Sequence, residues 1–291
     1  MHIPASMLHG AVCPITAAVS TVGLGAAVYF AHKSDKKPSI DQFAAATSLI
    51  FALQMLNYPI LNGTSGHLLG GVLAVSLLGT PFAVLSMAIV LTVQCIFFGD
   101  GGLNALGANI LNMALIGTGI IGFAGKALER FSSYKFIKLF SLCWLSVMLA
   151  AFVCSLEVAI GGTVSLSKVV PAMLSTHALI GLGEGALTGL LVYGVFSSRW
   201  FLKMDEQVVA IATFVMAVVA ASFSPFASNF PDGLEWVAEK LHFSSFSASS
   251  IQTLFPDYQI PGIVSVGLSS VLAGIIGIAI VFAVSTIIGR V

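Results

Sequence analysis

The sequence is short of charge. Asp, Glu, Lys and Arg make up 8% of its 291 residues, acids and bases number 12 each, and the formal net charge is zero. A nucleic-acid partner needs a basic surplus that this chain lacks. It is also short of polar residues: 57% are hydrophobic and the mean hydropathy is +1.02, which excludes an ordinary soluble domain. Cysteine is scarce. Cys13, Cys95, Cys143 and Cys154 form no CxxC pair and lie in or beside apolar runs. They read as buried small hydrophobes rather than a disulfide scaffold or a thiolate metal site. The first apolar run has no basic stretch before it and no evident cleavage site. Met1 and His2 are therefore expected to stay in the mature protein.

What the chain does have is apolar runs, nine of them: about 8–31, 41–56, 66–79, 81–97, 103–126, 138–160, 168–196, 207–227 and 262–287. Runs of about 20 residues read as transmembrane helices, so the chain is expected to be an all-α integral membrane protein. The second and third runs are short for a full span, and either suits a broken or tilted helix opening onto an internal cavity. With nine segments the loops alternate between two sides. One side collects Lys33, Lys36, Lys37, Lys126, Arg130, Lys135, Lys138, Arg199, Lys203 and Arg290, and the other only Lys168 and Lys240. The basic side should be cytoplasmic. That puts the C-terminus inside and the N-terminus outside.

Segment 228–261 is polar, holds Pro231, Pro256 and Pro261, and carries Asp232, Glu235, Glu239 and Asp257. It is expected to be an extracytoplasmic loop whose Asp232-Gly233 turn leads into a short helix over 234–241. The cytoplasmic stretch 197–207 is the expected junction between two parts, residues 1–200 and 201–291.

The chemistry gathers at the outer side. A terminal amine, the His2 amide nitrogen and the His2 imidazole close adjoining five- and six-membered rings on a metal, the second through Nδ1. Three nitrogens in one plane suit Ni(II) or Cu(II). His67 enters the membrane from the same side and offers a fourth nitrogen. Asn57, Ser65, Asp100, Asn104 and Asn109 are candidates to hydrogen-bond these ligands and set the imidazole tautomer. The alternative is that His2 is an ordinary exposed residue and His67 a polar anchor at a helix start.

Four strings carry a resemblance: MHIP at the start, GTSGHLLGG at 63–71, FFGDGGLNALGANILNM at 97–113 and HALIGLGEGALTG at 177–189. Over roughly residues 1–200 the chain resembles the CbiM/NikM family, the substrate-capture (S) component of cobalt/nickel energy-coupling-factor (ECF) transporters. PDGLE at 231–235, flanked by two helices, resembles the small accessory subunit NikN or CbiN of the same systems. The resemblance implies a natural fusion: an S-component bundle of about seven helices followed by a two-helix accessory hairpin. It implies Ni(II) or Co(II) as bound substrate, held in a square plane by the Met1 amine, the His2 amide nitrogen, the His2 ring and His67. It also implies no enzymatic activity of its own, a location in the bacterial or archaeal cytoplasmic membrane, and partners comprising a membrane coupling (T) subunit and ATP-binding subunits. Ala5 and Ser6 depart from the family's MHIxxG start without removing a ligand atom.

Such a site should exclude magnesium and calcium, which want oxygen ligands, and disfavour zinc, which prefers a tetrahedron. His177 and Glu184 share a helix face. They read as a buried polar pair steadying helix contacts or as a surface for the coupling subunit. Gly181, Gly183, Gly185 and Gly189 allow close helix packing. A second function class remains: a rhomboid-like intramembrane serine protease with Ser65 as nucleophile and His177 as base.

Overall fold

Each of the nine hydrophobic segments carries a helix. The computed structural model describes residues 2–127, 135–243 and 253–290. Helix α1 runs Val12–His32, α2 Ile40–Gln54, α3 Gly71–Leu78, α4 Thr80–Phe98 and α5 Leu103–Ala127. Then come α6 Lys135–Ile160, α7 Leu166–Phe196, α8 Glu206–Ser222, α9 Gly233–Lys240 and α10 Val266–Ile288. Six of them, α1, α4, α5, α6, α7 and α10, are long and apolar enough to cross a membrane, and α8 is apolar but shorter. Among the described residues the strands are limited to a two-residue pair, β1 (Tyr58–Pro59) and β2 (Ser65–Gly66). The chain is a multi-pass, all-helical membrane protein.

The third hydrophobic segment is helical only from Gly71. Gly70 sits at φ 79, a left-handed conformation that stops a helix from starting earlier. At 1.5 Å per residue α3 covers only about 12 Å, well short of a hydrocarbon core of about 30 Å. Residues 67–70 therefore lead into the bundle as irregular chain. Such chain is tolerated at depth only where protein satisfies its backbone, and this condition shapes the site below.

The two ends of the bundle differ. Lys33, Lys36, Lys37, Lys126, Lys135 and Lys138 border one open cleft beside the α3–α4 turn at Gly79. The opposite end gathers the N-terminal arm, the β-hairpin, the α4–α5 loop and the segment leading into α9. Gly102 donates to the Ile3 carbonyl and Ser65 to that of Pro231, while Phe255 donates to Phe97.

Packing follows small residues. A Cβ on Gly181, Gly185 or Gly189 of α7 would fall 2.7–2.9 Å from the nearest atoms of Trp144, Phe140 and Phe136 of α6. The glycine row thus receives a row of α6 rings, and Trp144 Nε1 donates to the Ala178 carbonyl at 3.0 Å. The accessory helices α8 and α10 both lie on α2. A Cβ on Gly277 would run into the Phe51 ring, and Ser48 Oγ donates to the Ile278 carbonyl at 3.3 Å. Phe51 and Phe98 share one hydrophobic core with Ala217, Ala273 and Val281. The accessory helices share this core with the rest of the bundle.

Candidate metal centre

The N-terminal arm is buried, not exposed. His2 is 9% accessible and Ile3 0%. Ile3 N–H donates to Asn109 Oδ1 at 2.8 Å, and Asn109 Nδ2 donates back to the Ile3 carbonyl at 3.3 Å. Asparagine suits this role because it carries both an acceptor and donors. It grips the main chain as a neighbouring strand would. Farther along, Thr163 Oγ1 donates to the Met7 carbonyl at 2.7 Å. The clamp demands glycine at position 101, where φ is 80 and a Cβ would lie 2.7 Å from Asn109 Nδ2.

The His2 ring meets a carboxylate. Nδ1 lies 3.0 Å from Asp100 Oδ1, and Tyr258 donates its hydroxyl to Asp100 Oδ2 at 2.7 Å. Burial by itself would raise Asp100. The His2 ring and the hydrogen bonds from His2 and Tyr258 outweigh it and hold the carboxyl below the usual carboxylate range. His2 Nε2 is buried with no hydrogen-bond partner among the described residues.

His67 is set from the other side. The antiparallel β1–β2 pair, closed by Ile60 N–H on the Thr64 carbonyl, fixes the chain up to Gly66. Beyond it, Glu184 of α7 accepts Leu69 N–H at 2.6 Å and Gly70 N–H at 2.9 Å. Leu69 precedes α3 and Gly70 is its N-cap, so neither amide has a helical carbonyl to pair with, and a carboxyl group offers an oxygen to each. Between these anchors His67 Nδ1 lies 3.0 Å from the Leu68 carbonyl, to which only an N–H can donate, so the lone pair is on Nε2. A neutral ring in this tautomer is the form that a metal ligand needs.

The two imidazoles come together. Their centroids are 5.5 Å apart and their planes 18° from parallel. Beside His67 lies a cavity of about 10 Å³, lined by Gly66, Leu69, Val147, His177, Ile180 and Gly233, about the size of one water. Among the described residues, no cluster of three or more His, Cys, Asp or Glu side chains is placed to hold a metal ion. A site here has to draw on main-chain nitrogen as well as on the two rings. Met1, the fourth expected ligand, lies outside the described residues.

Of the residues expected to support the ligands, Asp100 bonds the His2 ring and Asn109 bonds the arm one residue on. Ser65 belongs to the hairpin: Oγ donates to the Phe230 carbonyl at 2.7 Å. Asn57 contributes through its carbonyl, which accepts Ser228 N–H at 2.8 Å. Asn104 is exposed and is not brought to the rings. His177 and Glu184 are not paired with each other. His177 Nδ1 lies 2.8 Å from the Met173 carbonyl of its own helix, while Glu184 braces the His67 loop. No hydrogen bond joins Ser65 to His177 among the described residues, so the protease pairing has no support in the geometry. Two positions escaped the sequence reading. Glu184 was placed on its helix face, but its acceptors' target was not foreseen. Tyr258 sits in an irregular polar segment where nothing in the residue pattern marks it.

Comparison with known proteins decides the family. The family model described as cobalt uptake substrate-specific transmembrane region, CbiM, matches residues 2–202, and the PDGLE domain matches residues 207–291. The chain belongs to the CbiM family and carries a PDGLE domain. A putative fused nickel transport protein NikMN of Archaeoglobus fulgidus is 34% identical over 100% of this chain and 98% of its own length. A probable fused nickel transport protein LarMN of Lactiplantibacillus plantarum is 29% identical over 95% of both. A crystal structure of a transition metal transporter superposes with a TM-score of 0.61 at 26% identity, over 73% of this chain and 98% of that one. This CbiM-family chain is thus a nickel/cobalt-type transport protein whose relatives join the same two parts in one polypeptide.

Proposed function

We propose that the chain captures Ni(II) or Co(II) outside the cytoplasmic membrane as the substrate-binding subunit of an ATP-driven ECF-type transporter. The Met1 amine, the His2 amide nitrogen, the His2 ring and His67 hold the metal substrate in a plane. The observation that carries this reading is the meeting of the buried His2 and His67 rings at 5.5 Å, at the end of the bundle away from the lysines. The relatives named as fused nickel transport proteins along the whole length support the same reading.

The reading assigns a task to each group. His67 waits neutral and anchored, with its lone pair on Nε2. The arm brings the other three nitrogens as one unit, and losing the amide proton makes that nitrogen a strong ligand for a square-planar ion. Release inward requires the arm to draw away from His67. The work comes from ATP hydrolysed by separate subunits acting through a membrane coupling subunit. The lysine-bordered end faces the cytoplasm in this reading.

The experiment is nickel titration of the detergent-purified full chain with its native N-terminus, beside a form with one residue added ahead of Met1. The addition turns the primary amine into an amide, and tight binding should be lost. Equal affinity in the two forms rejects the chelate. Purification from native membranes tests the partners: a membrane subunit and ATP-binding subunits should accompany the chain.

A further inference from the structure

We propose that Tyr258 is a positioning residue for the metal site, acting from the accessory module through Asp100 on the His2 imidazole. This rests on the reading just given, in which the ring of His2 is a ligand. The Tyr258 hydroxyl donates to Asp100 Oδ2 at 2.7 Å, and Asp100 Oδ1 lies 3.0 Å from His2 Nδ1. A residue from the last fifth of the sequence thus reaches its second residue through one carboxylate.

The segment around Tyr258 is built to aim this hydroxyl. Asp257 and Tyr258 stand at φ 52 and 57, two consecutive non-glycine residues in left-handed backbone. That conformation is costly and persists only where the surroundings impose it. The surroundings are aromatic. Tyr258 stacks on Phe98 with centroids 4.7 Å apart and planes at 23°, and Phe255 packs on the same ring at 5.6 Å. The Phe255 N–H donates to the Phe97 carbonyl at 2.9 Å. The ring of Tyr258 is therefore held on the end of α4 independently of its hydroxyl, which points on to the carboxylate at the start of the next loop.

The chemistry gives Asp100 two duties. Chelation through the His2 amide requires Nδ1 of the ring, and this is the nitrogen that Asp100 holds. Asp100 thus parks the imidazole until the metal takes Nδ1. Once it does, the remaining ring N–H needs an acceptor, which for a metal-bound imidazole is most often a carboxylate or carbonyl. Nε2 is buried and has no partner among the described residues; Asp100 faces Nδ1 instead, so to serve Nε2 the ring has to turn as the metal takes Nδ1. A carboxylate that must release one ring nitrogen and serve the other needs its second oxygen tethered. Tyr258 supplies the tether.

The test uses the full chain with its native N-terminus and compares wild type, Tyr258→Phe, Asp100→Asn and the double variant. Nickel affinity, nickel dissociation rate, visible absorption and metal-free unfolding temperature are measured. Tyr258→Phe keeps the aromatic stack and gives up one hydrogen bond, so metal-free unfolding should shift by only a few degrees. Nickel affinity should fall about tenfold through faster dissociation, in the lower range for loss of a ligand-supporting group, with the square-planar d–d band retained. In the Asp100→Asn background the substitution should cost nothing further, because the path runs through that carboxylate. Wild-type affinity and dissociation in Tyr258→Phe overturn the proposal. So does a loss that adds fully to that of Asp100→Asn, or one that lies in association with the dissociation rate unchanged. Absence of nickel binding in wild type overturns instead the metal-site reading beneath it, so the two failures are distinct.

Discussion

The two histidines are held by opposite means. His67 stands between a closed β-hairpin and two main-chain amides seized by Glu184, with its own Nδ1 on a neighbouring carbonyl. These bonds, which fix it, run through backbone. His2 is held by a side chain, Asp100, which is held by another side chain, Tyr258; only the next residue, Ile3, is gripped through its main chain. Backbone networks fix a position, whereas side-chain chains have rotamers to spare. One ligand is therefore preset and the other is delivered. A transporter subunit that must capture a metal tightly and later surrender it gains from that division. The preset half lowers the ordering cost of binding, and the delivered half can leave.

The sharpest way to break the contrast is to loosen the rigid side. Glu184→Gln replaces a carboxylate that satisfies two buried amides with a group offering one acceptor oxygen and an unwanted donor. A buried amide left without its acceptor costs about 1–3 kcal/mol, so nickel affinity should fall roughly 100-fold and the unfolding temperature should drop with it. Titration and thermal unfolding of the same sample read both. Loosening the arm should cost less. Asn109→Ala leaves Ile3 N–H without its acceptor and removes one of the two donors to the Ile3 carbonyl. About 2 kcal/mol is expected, near 30-fold in nickel affinity, with a smaller change in unfolding than Glu184→Gln gives. A larger stability loss in Asn109→Ala than in Glu184→Gln would reverse the assignment of fixed and movable sides. The smallest effect belongs to Ser65→Ala. It removes one hydroxyl bond to the Phe230 carbonyl, about 1 kcal/mol of stability, and should change nickel uptake by less than threefold. Complete loss of function in that variant would bring a nucleophilic serine back into the account.

How much of this was legible in the sequence divides along the same line. The helices were legible because the length of apolar runs is a local property: each of the nine runs carries a helix. His2 and His67 were legible because a chelating dipeptide and a lone histidine in a glycine-rich loop stand out in an apolar chain. Asp100 and Asn109 were within reach, being polar residues in a loop that topology puts on the same side. Asn104 looked equivalent to them but lies exposed, because the side chain's direction depends on the local turn after Gly102, not on its type. Glu184 was visible as a buried acid, yet its partners are main-chain amides of the loop after His67, and main-chain amides leave no trace in residue identity. Tyr258 was hidden for the same reason in stronger form. Its position depends on left-handed backbone at two residues that are not glycine, which residue type argues against. Where the helices of the part 201–291 pack was not legible either: they lie on α2, where the glycines of α10 receive Phe51 and Met55.

The central claim is that the His2 and His67 rings hold one metal ion between them. The direct measurement is metal content and visible absorption of detergent-purified full chain with its native N-terminus, beside His67→Ala. The account predicts one nickel per chain with a square-planar d–d band in the wild type and neither in the variant. An unchanged nickel content and spectrum in His67→Ala would contradict it.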